Sequence, residues 1–116
     1  MAGAELIGKE EMKEVMDVLE TGVFMRYGFD NERKGIFKVK QLEQEFAQYN
    51  GTTYALGVTS GSAALKVALA AMGVGPGDEV IVPAFTFVAT WEAVLEVGAI
   101  PVMGDIDATL NLDPAD

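Results

Sequence analysis

The segment Val58-Thr59-Ser60-Gly61-Ser62-Ala63-Ala64-Leu65 is the one around which the rest of the chain is organised. It joins a short apolar run at 54–58 to a run of small residues at 63–72 that favours a helix. A strand that ends in such a turn and then opens a helix points unpaired backbone N–H groups outward, where they suit a phosphate. On the local pattern alone, an ordinary helix cap by Ser60 or Ser62 is favoured, because caps far outnumber phosphate sites.

The composition excludes several classes of function. The 116 residues fit one domain, and half of them are hydrophobic. With 18 acidic and 8 basic residues the net charge is −10, which argues against nucleic acid as a partner. The sequence has no Cys and no His, so thiolate metal sites, His–carboxylate metal sites and Ser-His-Asp catalysis are excluded.

The apolar segments do not suggest a membrane protein. Residues 1–5 lack the basic segment followed by an apolar stretch that marks a secretory signal. Gly, Pro or charged residues interrupt every apolar stretch well short of a membrane span. We therefore expect no membrane contact and a cytoplasmic location.

The sequence pattern of residues 1–52 predicts an amino-terminal segment of helices and a loop. Helical periodicity predicts amphipathic helices at 8–21 and 39–49, each followed by Gly. The irregular loop between them carries Arg26 and Tyr27, which could contact an anionic or polyhydroxyl ligand. The favoured alternative is a surface loop that aromatic residues pin to the core: Phe24, Phe29 and Phe37.

Residues 53–116 alternate between strand and helix patterns. Strands are predicted at 54–58, 79–83 and 100–106, with helices at 63–73 and within 85–97. This alternation indicates mostly parallel strands in a layered α/β architecture, in which ligands gather at the carboxyl ends of the strands. The stretches that follow the three strands are 60–62, 83–87 and 105–107, and strand order decides whether they share one site.

Four segments in this order and spacing carry a family resemblance: Thr59–Leu65, Gly75–Pro83, Phe85–Thr90 and Gly98–Pro101. Together they resemble the amino-terminal part of the DegT/DnrJ/StrS aminotransferases, from the helix near Gly8 to Asp113-Pro114. The resemblance implies the first part of a three-layer α/β/α large domain that binds pyridoxal phosphate. It also implies an enzyme, usually a homodimer, that transfers an amino group from glutamate or glutamine to a keto sugar or sugar nucleotide.

The resemblance assigns cofactor-binding roles to the opening turn. The family's Ser-Gly-Thr-Ala turn falls on Ser60, Gly61, Ser62 and Ala63, so the Ser62 hydroxyl and the N–H groups of Ser62 and Ala63 are expected to bind the cofactor phosphate. Phe87 matches the aromatic residue that stacks on the pyridine ring, as offset stacking favours. Phe85 and Trp91 are interpreted as packing residues.

Within the family, the loop at 24–38 resembles most the transaminases that form 8-amino-3,8-dideoxy-manno-octulosonate, an acidic sugar of lipopolysaccharide. The resemblance provides no catalytic residue, because no lysine lies in the context of the family's cofactor-bound lysine: Lys9, Lys13, Lys34, Lys38, Lys40 and Lys66. Asp105 and Asp107 follow an earlier strand than the family's acid partner of the pyridine nitrogen. We therefore expect that this stretch alone is not catalytically complete.

The resemblance also bears on strand order. Simple βαβ reasoning pairs the first predicted strand with the second, whereas the family places the first near one edge of the sheet and the next two toward the other. In the family, strands from later sequence lie between them.

Two alternative functions stay open for this chain. One is a non-catalytic domain that binds a phosphate or the cofactor, and the other is a degenerate fragment that self-associates through exposed edges.

Overall fold

The structure, a computed structural model, describes residues 3–116. The chain forms two compact units, Met1–Gly57 and Val58–Asp116, called here the amino-terminal unit and the carboxyl-terminal unit. These units divide after Gly57. The functional division at 52/53 that the sequence suggests stays a prediction.

Two helices dominate the amino-terminal unit, α1 at Lys9–Thr21 and α2 at Lys38–Asn50, after a 3-10 turn at Ala4–Leu6. Both helices were predicted to within one residue at each end. At the start of α1 the Glu11 carboxylate accepts the Gly8 N–H at 2.7 Å. At its end Gly22 takes a φ of 68°, a left-handed conformation that glycine adopts without steric cost.

Charged side chains join the two helices. Lys38, the first residue of α2, binds Asp17 of α1 with 3.0 Å between Nζ and Oδ2, and it also pairs with Glu14. Lys13 donates to the same Asp17 oxygen at 2.8 Å. Polar contacts rather than a buried apolar core therefore link α1 and α2.

The carboxyl-terminal unit contains α3 at Gly61–Ala71, β1 at Glu79–Pro83, α4 at Ala89–Glu96 and β2 at Ile100–Gly104. The strands β1 and β2 pair in parallel, with Glu79 opposite Ile100 and Pro83 opposite Gly104. Val82, Val94 and Ala99 form a buried core, which partly buried apolar residues surround: Leu69, Val74, Val80, Trp91 and Val97. A partial α/β fold is therefore confirmed.

The strand predicted at 54–58 is not present. Those residues lie outside any strand, so the sheet within residues 3–116 has two strands and not three. A strand requires backbone hydrogen bonds to a neighbouring strand, and none of the described residues makes such a backbone bond to this stretch. Simple βαβ pairing of the first two predicted strands is therefore wrong. The last strand is also shorter than predicted, since it ends at Gly104 and not at Ile106.

The longest helices of residues 3–116 have 13 residues. None of the helices in this part of the chain combines the length and the apolar character that crossing a bilayer requires.

Candidate functional site

The turn at Ser60 begins α3 in extended backbone, with a φ of −163° and a ψ of 165° at Ser60. Its Oγ accepts the N–H of Ala63 at 3.1 Å, and its carbonyl oxygen accepts the N–H of Ala64 at 3.0 Å. The local pattern favoured a cap by Ser60 or Ser62, and the structure shows that the cap is Ser60. The cap fixes the backbone of the turn and leaves other groups of the first helical turn unused.

Those unused groups are the N–H groups of Gly61 and Ser62 and the Ser62 hydroxyl. Within residues 3–116 none of them has a hydrogen-bond partner. A Cβ built on Gly61 would meet no heavy atom within 4 Å, and both Gly61 and Ser62 are exposed. The residues thus fit a phosphate, with one difference from expectation: the Ala63 N–H is occupied by Ser60, and the two available N–H groups belong to Gly61 and Ser62.

Phe87 lies in the turn between β1 and α4, with its side chain 77% exposed. Its carbonyl oxygen accepts the N–H of Thr90 at 3.0 Å, and the hydroxyls of Thr86 and Thr90 lie 3.0 Å apart. The backbone of this turn is therefore held while the phenyl ring stays free to stack on a flat ligand.

Trp91 and Phe85, the two residues interpreted as packing residues, differ in their exposure. Trp91 packs against the core of the carboxyl-terminal unit, as predicted. Phe85 is 63% exposed, so its predicted packing role is wrong within this chain. Lys66, the only charge on α3, pairs with Glu96 of α4 at 3.2 Å, an ion pair between two helices that pack on each other.

Arg26 and Tyr27 lie in the amino-terminal unit, in the loop between α1 and α2. The Arg26 Nη2 pairs with Glu43 Oε1, and the same oxygen accepts the Gly57 N–H at 2.7 Å. The Gly57 bond, and after it the Arg26 guanidinium, lowers the pKa of Glu43 against the opposing effect of its partial burial. Tyr27 is 73% exposed.

Arg33 is the organising residue of this loop, and the sequence reasoning missed it. It is only 6% exposed; its Nε donates to the Gly28 carbonyl at 2.7 Å, and its Nη2 donates to the Met25 carbonyl. Its guanidinium also lies 5.2 Å from the centroid of the Phe37 ring. An arginine amid glycines and aromatic residues was the available signal.

Of the three phenylalanines expected to pin this loop to the core, only Phe37 is partly buried, and it lies against the Arg33 guanidinium. Phe24 and Phe29 are 71% and 53% exposed. Carbonyl groups inside a folded loop need donors, which a buried guanidinium supplies and a phenyl ring does not.

Asp105 and Asp107 follow β2 and take part in a tight turn. The Asp107 Oδ1 accepts the Thr109 N–H at 2.8 Å and the Thr109 hydroxyl at 2.5 Å, and these bonds lower the pKa of Asp107, the hydroxyl most. The Asp105 N–H donates to Asp116 Oδ2 at 2.9 Å. Both residues thus stabilise the turn.

The turn at Ser60–Ala63 and the exposed ring of Phe87 are the two features that the family resemblance of the four motifs implied. Known proteins with similar sequences show whether the chain belongs to that family. The sequence profile of the DegT/DnrJ/EryC1/StrS aminotransferase family matches residues 5–116. The chain belongs to this family.

Individual relatives agree with the family assignment. A spore coat polysaccharide biosynthesis protein, SpsC of Bacillus subtilis, is 48% identical over 94% of this chain and 26% of its own length. The 3-amino-5-hydroxybenzoate synthase of Amycolatopsis mediterranei is 47% identical over 90% of this chain and 25% of its own length.

A solved structure extends the agreement to the fold. It is that of Spr1654 of Streptococcus pneumoniae, provisionally classed as a sugar aminotransferase and determined in its PLP form. It matches 92% of this chain and 25% of its own, with a TM-score of 0.78 and 39% identity. The chain thus spans about a quarter of the length of the relatives it matches.

Proposed function

We propose that the polypeptide carrying this chain is a pyridoxal-phosphate-dependent aminotransferase. It transfers an amino group from glutamate or glutamine to a keto sugar or sugar nucleotide. The observation that carries the proposal is the first turn of α3, where the N–H groups of Gly61 and Ser62 and the Ser62 hydroxyl have no hydrogen-bond partner within residues 3–116. Membership of an aminotransferase family makes the cofactor phosphate the natural ligand of these groups.

Each residue of the site has a distinct task in this proposal. The two free N–H groups and the Ser62 hydroxyl bind the phosphate, and the positive end of the α3 dipole favours its negative charge. Ser60 keeps the turn in place through its bond to Ala63. Phe87 orients the cofactor by stacking on its ring. When bound, pyridoxal phosphate supplies the aldehyde that carries the amino group and a ring that stabilises negative charge at the substrate carbon.

The substrate class rests on the relatives. SpsC is named for the biosynthesis of a spore coat polysaccharide, and the name of the pneumococcal protein gives a sugar aminotransferase. The third relative is instead named as a 3-amino-5-hydroxybenzoate synthase. We propose a keto sugar, with the acidic sugar of the narrower resemblance as one specific candidate. We also propose that the enzyme is a homodimer, because members of this family usually are.

Titration of the purified full gene product with pyridoxal phosphate, followed by its absorbance, tests the proposal. Ser62→Ala removes a hydrogen bond to a charged group and should weaken cofactor binding by about tenfold or more. Thr109→Ala, which also removes one hydroxyl from the carboxyl-terminal unit, is the matched control and should leave the affinity unchanged.

Three results decide between the readings. Cofactor binding followed by conversion of its spectrum on addition of L-glutamate supports the aminotransferase. Binding without that conversion supports the non-catalytic alternative. If wild-type protein does not bind pyridoxal phosphate, or if Ser62→Ala binds it equally well, the proposed phosphate site is wrong.

A further inference from the structure

Two arginines of the loop between α1 and α2 are held in different ways. Arg33 is buried and directs its donors to backbone carbonyls of the loop itself. The side chain of Arg26 is 38% exposed, and only its Nη2 has an acceptor among residues 3–116. Because a guanidinium carries five N–H donors in a planar fork, Arg26 retains most of them for a ligand.

The single acceptor of Arg26 is itself fixed. The side chain of Glu43 is 13% exposed, and one of its oxygens, Oε1, accepts from both Arg26 and the Gly57 N–H. The backbone of Gly57 lies close to this carboxylate, since a Cβ on Gly57 would be 3.3 Å from Val39 Cγ1 and 3.4 Å from the same Glu43 oxygen. The carboxylate is thus anchored to the backbone and not merely paired on the surface.

The arrangement places a held but partly open cation on a strongly acidic protein. The sequence has 8 basic and 18 acidic residues, so an oriented guanidinium is a selective place for a negatively charged group. The exposed Tyr27 beside it offers a hydroxyl. A partly exposed ion pair contributes little to folding stability, whereas an oriented arginine loses less freedom when it binds a carboxylate or a phosphate.

We propose that Glu43 is a positioning residue that holds Arg26 for binding an oxyanion of the substrate, the carboxylate of a sugar acid or the diphosphate of a sugar nucleotide. This inference rests on the proposed function, since it concerns the substrate of that enzyme. It adds a residue, Glu43, that neither the motifs nor the family resemblance singled out.

Calorimetric titration of the cofactor-loaded full gene product with two probes, D-glucuronate and uridine diphosphate, tests the inference and tells the two sources of the oxyanion apart. Arg26→Gln should lower the affinity for the preferred probe by about tenfold. Glu43→Gln keeps an oxygen for the Gly57 N–H but removes the charge that holds Arg26, and should weaken it by a similar factor. The double variant should be no weaker than Arg26→Gln alone, because both changes act through one guanidinium.

The matched control is Glu96→Gln, which removes the carboxylate of the Lys66 ion pair elsewhere in the chain and should leave both affinities unchanged. A purely structural role for Glu43 would lower stability toward urea without this non-additive loss of affinity. The inference is overturned if wild-type protein binds neither probe, if Glu43→Gln binds as wild type does, or if the two losses add. Failure of the proposed function is seen separately, as absence of cofactor binding before any probe is added.

Discussion

The two units of the chain are stabilised in different ways. In the carboxyl-terminal unit a small apolar core is formed by Val82 of β1, Val94 of α4 and Ala99, the residue before β2. In the amino-terminal unit only Arg33 and Ala47 are buried among the described residues, and α1 buries none. The apolar side of α1 is 49–61% exposed along its length: Met12, Val15, Met16 and Leu19.

The difference shows that an amphipathic pattern alone does not form a core. Strand pairing gives the carboxyl-terminal unit a surface on which α4 packs, and its apolar side chains leave water. Within residues 3–57 the amino-terminal unit has helices and a loop but no sheet, and ion pairs and a buried arginine link its parts. The stability of the amino-terminal unit should therefore depend on charge and salt. The stability of the carboxyl-terminal unit should depend on apolar packing.

The largest expected effect is in the apolar core. Val94 is 2% exposed, and Val94→Ala removes about two methylene equivalents and leaves a cavity, which should lower the free energy of unfolding by about 2 kcal/mol. Leu95→Ala, at a 59% exposed neighbour on the same helix, should change it by no more than about 0.5 kcal/mol. Urea unfolding of both variants is the measurement. Equal losses would remove the distinction between the core and the rest of α4.

A smaller and local effect is expected at Arg33. Arg33→Met leaves the carbonyls of Met25 and Gly28 without their donor and should destabilise the loop by about 1 kcal/mol. The Ile36 amide, which donates to the Arg33 carbonyl at 2.8 Å, should then exchange its hydrogen about fivefold faster. Lys40→Met, with the same loss of charge at an exposed site on α2, is the control. Unchanged exchange in Arg33→Met would mean that the loop does not depend on its buried arginine.

The smallest effect concerns the charges between α1 and α2. Lys13, and after it Lys38, lowers the pKa of Asp17, so this contribution to stability is complete above the ordinary pKa of an aspartate and is lost as pH falls through the depressed value. Glu14, and after it Asp17, raises the pKa of Lys38, so that contribution is complete below the ordinary pKa of a lysine and is lost as pH rises through the raised value.

Lys38→Met should therefore abolish this dependence of stability on pH at the alkaline end, where Lys38 itself titrates. At the acid end it should only reduce the dependence, because Lys13 still pairs with Asp17. High salt should reduce the difference between variant and wild type, since these side chains are partly exposed. Unfolding followed across pH at low and high salt is the measurement. A difference that salt does not change would indicate that Lys38 acts through packing of its aliphatic stem.

Much of the local structure was predictable from residues close together in the sequence. Apolar spacing and a following glycine located α1 and α2, and β-branched residues before Pro83 located β1. The turn at Ser60–Ala63 was recognisable as the start of a helix, and its order relative to three later motifs indicated the family. The roles of Ser62 and Phe87 toward a cofactor stay predictions, although both side chains are free to perform them.

Residue order alone was sufficient to predict the helices, the strand β1, a cap at the start of α3 by Ser60 or Ser62, and the family, because caps, periodicity and motif order can be recognised without knowing tertiary contacts. Only the tertiary structure decided that residues 54–58 form no strand, that Arg33 is buried, and that Glu43 joins Arg26 to Gly57. The partners of Glu43 lie 14 and 17 residues away in sequence, and the carbonyl partners of Arg33 lie five and eight residues away. In each case the identity of a residue does not state which partner is within reach.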